Sequence, residues 1–219
     1  MVSPAQFIPI AEETGLIREF GVLVARRSVA ALADLSRSGI EFEHISINAS
    51  AKELLAEGYA QRLMAAIRAA GADPSKFEIE VTESVFIDDT AQVRAELEAL
   101  RAAGASIALD DFGTGYSSLN LLRTLPLDTL KIDRSFVIAL SQSEEARSLA
   151  RHIIEIARIL NKRVVAEGPE TDDEVSLLAS FGCDYVQGFA FARPMPIEEL
   201  VVFIRELQGR RAVRRAIRS

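Results

Sequence analysis

The stretch that decides the fold is Ser106-Ile-Ala-Leu-Asp-Asp-Phe-Gly-Thr-Gly115, an apolar run that ends in two adjacent carboxylates and a glycine-rich loop. Adjacent carboxylates repel each other, and a divalent cation compensates them well because Mg²⁺, Mn²⁺ and Ca²⁺ bind hard oxygen ligands. An Asp pair equally fits a helix cap or a solvated turn. A dinucleotide-binding loop would need a third glycine, and a protein kinase would need further motifs that the chain lacks. The first interpretation is therefore a metal site at the end of a strand.

Composition sets the outer limits. With 219 residues, 49% of them hydrophobic, the chain is predicted to form one domain. A net charge of −7 argues against binding to a nucleic-acid polymer, although a small anion is compatible if a metal reverses the local field. A single cysteine, Cys183, excludes an internal disulfide and fits a reducing compartment.

From the sequence as given, we expect neither a membrane span nor a signal peptide. No apolar run approaches the length of a membrane span, and the start lacks the regions of a signal peptide. We therefore expect a cytoplasmic domain that makes no membrane contact of its own. The arginine-rich residues 208–219 are predicted to be a basic tail, with a solvated, fraying helix end.

Between the ends, short apolar segments alternate with longer helical ones. The pattern predicts a first helix over residues 5–29 and then six β/α units without hairpin signals. Alternating strands and helices imply a parallel sheet with right-handed crossovers. The predicted strands begin at His44, Phe77, Ser106, Thr129, Arg163 and Asp184.

A polar residue falls at or near the carboxyl end of each predicted strand. Taken singly, each has an ordinary interpretation as a turn residue, a helix cap or a salt-bridge partner. In an open sheet a ligand collects at one switch point, whereas in a barrel all strand ends converge on one mouth. The set favours a barrel, and its oxygen ligands favour magnesium or manganese over zinc. The six residues are Asn48, Glu80, Asp110, Lys131, Glu167 and Gln187.

Several motifs, taken together, resemble the EAL family of cyclic di-GMP phosphodiesterases over essentially the whole chain. They are Phe7-Ile-Pro-Ile-Ala-Glu-Glu-Thr-Gly-Leu-Ile17, Glu80-Val-Thr-Glu83-Ser, Asp110-Asp-Phe-Gly-Thr-Gly-Tyr-Ser-Ser-Leu119, Leu130-Lys-Ile-Asp133, Val165-Ala-Glu-Gly168 with Glu170-Thr, and Gln187-Gly-Phe with Arg193-Pro. The resemblance implies a modified (β/α)8 barrel that hydrolyses cyclic di-GMP to linear 5′-pGpG. It also implies a two-metal site that takes Mg²⁺ or Mn²⁺.

The resemblance further implies a role for each matching residue. Metal ligands would be Asn48, Glu80, Asp110, which bridges the two metals, Asp111 and Glu167. Lys131 would orient the attacking water, and Glu167 and Asp111 would complete the catalytic centre. The remaining substrate or loop residues would be Glu83, which anchors the loop after Asp111, and Asp133, Glu170 and Gln187.

The resemblance also implies partners. In the family the loop after the paired aspartates communicates with a dimer interface, so a homodimer is expected. Regulatory domains upstream, and a membrane tether in the full-length protein, fit the same signalling role.

One departure concerns the motif that names the family. Its Glu-Ala-Leu segment lies on an early strand, upstream of the segment that begins here at Phe7, and its Glu binds the first metal. Only six residues precede Phe7, so we expect a barrel without its first one or two strands and a weakened first metal site. Three explanations stay open: a fragment or truncated gene model, a degenerate member, or a partner that supplies the strands. A smaller departure is Pro169, where the family commonly has Val.

A second function fits the same residues. A catalytically inactive module of this family would bind cyclic di-GMP, or a partner protein, as a sensor. Such a sensor would not need the metal ligands, and most of them are present in this sequence.

Overall fold

The computed structural model of the chain describes residues 3–86, 90–113 and 119–217. Its centre is a curled sheet of six strands, each hydrogen-bonded in parallel to the next one along the chain. Among the described residues, the first and last strands pair on one side only. The strands are β1 Ile45–Asn48, β2 Phe77–Thr82, β3 Ser106–Phe112, β4 Thr129–Ile132, β5 Arg163–Glu167 and β6 Tyr185–Gln187.

Helices precede the sheet and connect its strands. The strand order, without a single reversal, matches the predicted series of β/α units, and the result is an α/β barrel that lacks some of its strands. The helices are α1 Pro4–Thr14, α2 Ile17–Arg37, α3 Ala51–Leu54, α4 Tyr59–Ala69, α5 Thr90–Ala102, α6 Leu119–Thr124, α7 Arg134–Ala139, α8 Glu144–Ile159, α9 Asp172–Phe181 and α10 Ile197–Ile217.

Alternation along the strands separates the core from the polar interior. Successive side chains of a strand point to opposite faces. On β2, Ile79 and Val81 are fully buried in the hydrophobic core, whereas Glu78 and Glu80 point to the other face. Four charged side chains of β2, β4 and β5 follow this alternation and therefore meet inside the curl of the sheet. Three of them, Glu78, Glu80 and Lys131, are buried, and Arg163 is half-buried.

Two of the predicted helices are each divided in the structure. The first predicted helix is wrong as a single element, because the chain breaks between α1 and α2 at Gly15, where φ is +79°. A positive φ ends a right-handed helix and is readily adopted only by glycine. The helix predicted after β1 is likewise divided into α3 and α4, with Gly58 at φ +73° before the second.

The chain ends in a helix longer than the pattern predicted. Helix α10 continues to Ile217 and includes most of the predicted basic tail, whereas residues 218 and 219 lie outside the described part. In the described ranges, no helix combines the length and the apolar character that crossing a bilayer requires.

Candidate metal centre

Lys131 lies at the centre of the polar interior. Its side chain is buried, and its Nζ atom is 2.9 Å from Glu80 Oε2, 3.0 Å from Asp110 Oδ1 and 2.7 Å from Glu167 Oε1. These three carboxylates come from β2, β3 and β5, so the ammonium group on β4 draws together the carboxyl ends of four strands. The convergence predicted from the positions of these residues is confirmed for this group.

Electrostatics keep this lysine charged. Burial alone would lower the pKa of Lys131, but the carboxylates of Glu80, Asp110 and Glu167 outweigh burial and raise the pKa well above its ordinary value. The pKa of Glu167 is raised, first by burial and then by the neighbouring carboxylates, although Lys131 opposes the shift. Lys131 is therefore a permanent cation at neutral pH, and it acts by position and charge.

Asp111 joins the cluster through an irregularity of β3. Regular alternation would put Asp110 and Asp111 on opposite faces of the sheet. The pairing register with β4 shifts between Leu109 and Phe112, and Asp111 has φ +55°, a left-handed conformation that Asp tolerates better than most residues. A bulge of this kind re-aims a side chain. It brings both aspartates to the same side.

The carboxylates fit a hard divalent cation. Asp110, Asp111 and Glu167 each offer one oxygen, and these oxygens lie within 4.8 Å of one another at half-buried positions. Burial, followed by the charges of Asp110 and Asp133, raises the pKa of Asp111, so the negative charge here is incompletely compensated. Together with Glu80, the cluster contains four carboxylates and one ammonium group. Oxygen donors in excess of the available positive charge suit Mg²⁺ or Mn²⁺.

The predicted metal ligand Asn48 and the predicted substrate or loop residue Gln187 lie on the two flanking strands, next to the cluster along the sheet. Asn48 ends β1, exposed and paired in register with Glu80, and Gln187 ends β6, exposed and paired with Glu167. Their contribution to metal or substrate binding stays a prediction.

Two of the predicted substrate or loop residues hold the chain around the cluster. Glu83 accepts a hydrogen bond of 2.9 Å from the backbone N–H of Gly113 to its Oε1. This bond ties Gly113 to Glu83, while the predicted anchoring of the loop stays a prediction because residues 114–118 lie outside the described part. Asp133 caps α7 by accepting a bond from the Ser135 N–H, and the bonds from Ser135 outweigh burial and lower the pKa of Asp133.

Glu170 lies near the cluster but binds a residue that the sequence analysis missed. Its Oε1 is 2.6 Å from Nη2 of Arg134, the first residue of α7. The two residues are 36 positions apart, so no local pattern joins them. The signal that was available is that Arg134 directly follows the Lys131–Asp133 segment, at the carboxyl end of β4.

The family's name-giving letters do occur once in this chain, but in another place. Glu98-Ala99-Leu100 lies within α5, and Glu98 Oε1 accepts a bond of 3.0 Å from Arg94 on the exposed face of that helix. Glu98 also borders a cavity that Ser106 and Arg163 line at the amino ends of their strands. This triplet is therefore at the opposite end of the strands from the carboxylate cluster.

Comparison with known proteins gives consistent matches. The sequence model of the EAL domain matches residues 1–194. The cyclic di-GMP phosphodiesterase PA2567 of Pseudomonas aeruginosa is 40% identical over 204 residues, which are 93% of this chain and 35% of that protein. The chain spans about a quarter to a third of the length of the curated relatives it matches.

Solved structures agree with the sequence matches. The MucR phosphodiesterase of Pseudomonas aeruginosa in complex with c-di-GMP has a TM-score of 0.85 at 38% identity, covering 91% of this chain and 81% of that one. The manganese and cyclic di-GMP complex of BlrP1 from Klebsiella pneumoniae has a TM-score of 0.73 at 34% identity, covering 81% of this chain and 45% of that one. The chain belongs to the EAL domain family.

Proposed function

We propose that this chain hydrolyses cyclic di-GMP to linear 5′-pGpG with two divalent cations, Mg²⁺ or Mn²⁺. The observation that carries the proposal is the group formed by Asp110, Asp111 and Glu167 around the charged Lys131, at the carboxyl ends of parallel strands. Relatives named as cyclic di-GMP phosphodiesterases, and neighbours solved with that nucleotide, support the choice of substrate.

The reaction adds one water molecule across one phosphodiester bond. The water oxygen forms a bond to phosphorus, the bond from phosphorus to the 3′ oxygen breaks, and that oxygen takes up a proton as the 3′ hydroxyl of the product. Divalent cations held by Asn48, Glu80, Asp110, Asp111 and Glu167 would supply Lewis acidity toward the phosphoryl oxygens and the attacking water.

The residues of the chain have distinct tasks in this reaction. Lys131 keeps its proton, so it orients the attacking oxygen and stabilises the negative charge that grows on it. Glu167 is a better proton acceptor than an exposed glutamate, because its pKa is raised by burial and by neighbouring carboxylates. Asp110 contacts Lys131 through Oδ1 and offers an oxygen to the group that it forms with Asp111 and Glu167, so it would hold a divalent cation together with them.

A sensor without turnover is the competing function. Among the described residues, Glu80 lies outside the group formed by Asp110, Asp111 and Glu167, so the β2 side of the site contributes no oxygen to that group. A module of this kind would bind cyclic di-GMP without turning it over and pass the signal through the loop after Asp111.

The test is hydrolysis of cyclic di-GMP followed by chromatography of the products. The chain, and a form extended upstream by the corresponding Glu-Ala-Leu strand of a relative, are assayed with Mg²⁺, with Mn²⁺ and with a chelator. Metal-dependent appearance of 5′-pGpG supports the enzyme. If the extended form binds the nucleotide and releases no product with either metal, the sensor stands in its place.

The proposal extends to further domains, to the oligomeric state and to the location of the protein. The greater length of the relatives supports regulatory domains elsewhere in the full-length protein. We also propose that the protein is cytoplasmic and forms a homodimer. Light scattering of the purified protein tests the dimer, and a monomer at micromolar concentration would contradict it.

A further inference from the structure

A cavity lies beside the carboxylate cluster and shares Glu167 with it. Its volume is about 500 Å³, and the segments after β5 and β6 and the start of α7 form its walls. The side chains that give it chemical character are Arg134, Glu167, Glu170, Gln187, Phe189 and Arg193. It therefore combines two guanidinium groups with an exposed aromatic ring next to the proposed site of cleavage.

Arg134 is held at the edge of this cavity by two contacts. Its aliphatic part lies against Gly168, where a Cβ atom would come within 2.3 Å of Arg134 Cγ and 2.8 Å of its Cβ and Cδ. Its Nη2 atom is 2.6 Å from Glu170 Oε1. The packing on Gly168 fixes the aliphatic part of the side chain. The ion pair with Glu170 fixes the position of the guanidinium group in the absence of a ligand.

The ion pair between Arg134 and Glu170 is readily exchanged. The two side chains are 52% and 51% exposed, and an ion pair in such contact with water contributes little stability. Arg193 is engaged differently, because its Cζ atom lies 4.5 Å from the centre of the Phe189 ring. Arg134 is therefore the cation that can change its partner at low cost.

The chemistry of a cyclic dinucleotide calls for such a cation. The molecule has two phosphodiester groups on opposite sides of one ring, so only one of them can lie at the carboxylate cluster. In the adjoining cavity, the other phosphate would bring its negative charge close to Glu167 and Glu170. A guanidinium group binds a phosphate through two parallel hydrogen bonds and keeps its charge at all relevant pH values.

We propose that Arg134 is a specificity-determining residue that binds the phosphate that is not cleaved, and that Glu170 competes with this phosphate for the same guanidinium group. The inference rests on the proposed hydrolysis of cyclic di-GMP. It predicts effects of opposite sign for the two partners: removing the charge of Arg134 weakens substrate binding, and removing the charge of Glu170 strengthens it.

The experiment compares kcat and KM for cyclic di-GMP with Mn²⁺. Arg134→Gln keeps the Cβ, Cγ and Cδ atoms that pack on Gly168. It is expected to raise KM by about 10-fold or more with kcat nearly unchanged, because a hydrogen bond to a charged group is lost. Glu170→Gln is expected to lower KM, and the double variant should behave like Arg134→Gln. The matched control, Arg147→Gln, removes an exposed arginine that pairs with Glu144 and should leave KM unchanged.

A second substrate separates binding from loop support. Bis(p-nitrophenyl) phosphate has a single phosphodiester group, so Arg134→Gln should leave its hydrolysis unchanged. If the variant lowers kcat for both substrates, Arg134 only supports the loop that carries Glu167, and the inference is overturned. An unchanged KM for cyclic di-GMP in the variant also overturns it. If the unaltered protein turns over neither substrate, the proposed function itself has failed.

Discussion

Thr129 Oγ1 donates a hydrogen bond of 2.6 Å to Glu78 Oε2 across β3, the strand that lies between their two strands. One pleat closer to the carboxyl ends, Lys131 bridges to Glu80 over the same strand. The contact between Thr129 and Glu78 therefore fixes the alignment of β2 and β4 on which the contact between Lys131 and Glu80 depends. His44 and Arg163 complete the layer of polar contacts around Glu78, with nitrogen atoms 3.2 and 3.1 Å from its carboxylate.

Glu78→Gln should lower the free energy of unfolding by about 3 kcal/mol, because it leaves the partners of a buried carboxylate without their acceptor charge. Urea denaturation measures the change. The double variant with Arg163→Gln should cost less than the sum of the two single changes, since the two side chains interact. A loss below about 1 kcal/mol for Glu78→Gln would mean that this layer does not align the strands.

Stability should depend on pH through His44. Its hydrogen bond to Glu78 raises the pKa of His44, with Glu43 adding to the shift and both burial and Arg163 opposing it. A pKa raised above the unfolded value gives a stabilisation that is complete at low pH and is lost as pH rises through the folded pKa. The free energy of unfolding should therefore fall as the pH rises above about 6.5, relative to the His44→Gln variant. Parallel pH curves for the two proteins would exclude this linkage.

Gly113→Ala should destabilise the turn after the paired aspartates. Gly113 has φ +98°, and a Cβ atom there would come within 2.5 Å of the Phe136 ring. Left-handed strain and this overlap together should cost about 2 kcal/mol or more in thermal unfolding, and Mn²⁺ binding should weaken because Asp111 shifts. Gly71→Ala is the matched control, since Gly71 has φ +77° and no neighbour within 4 Å of a Cβ atom. Equal losses in the two variants would show that the Phe136 contact has no effect.

Lys131→Met should separate stability from catalysis. Removing the only ammonium group that contacts Glu80, Asp110 and Glu167 in the described structure leaves their charges unbalanced and should cost about 3 kcal/mol. Adding Glu80→Gln should restore part of the stability, because one of the repelling charges is gone. Hydrolysis should remain lost in both proteins. Turnover by Lys131→Met at the rate of the unaltered chain would remove Lys131 from the mechanism.

The strands and their polar ends follow from sequence because each depends on local alternation. Ile79 and Val81 define the buried face of β2, and Glu80 then has to face the other way. The same rule, applied to β3, would have separated Asp110 from Asp111. Only the shifted register and the left-handed φ of Asp111 bring them together, and these depend on pairing with β4 rather than on neighbouring letters.

Long-range pairs and helix ends were harder to predict. The contact between Arg134 and Glu170 joins two loops that are far apart in sequence, and nothing local indicates it. The break at Gly15 was missed because apolar residues on both sides continue a helical spacing, while the backbone conformation of one glycine ends the helix. Periodicity reports which face is buried, and it does not report where the backbone turns.

We propose that the carboxylates at the carboxyl ends of the strands, and not the Glu98-Ala99-Leu100 triplet of α5, form the metal-dependent phosphodiesterase site. The most direct test is the Mn²⁺-dependent rate of cyclic di-GMP hydrolysis for Asp110→Asn beside Glu98→Gln, which alters the Glu-Ala-Leu triplet of α5. We predict that Asp110→Asn loses about 100-fold or more, because a ligand and bridging charge are gone, and that Glu98→Gln keeps the rate of the unaltered chain. Hydrolysis by Asp110→Asn at that same rate would contradict the account.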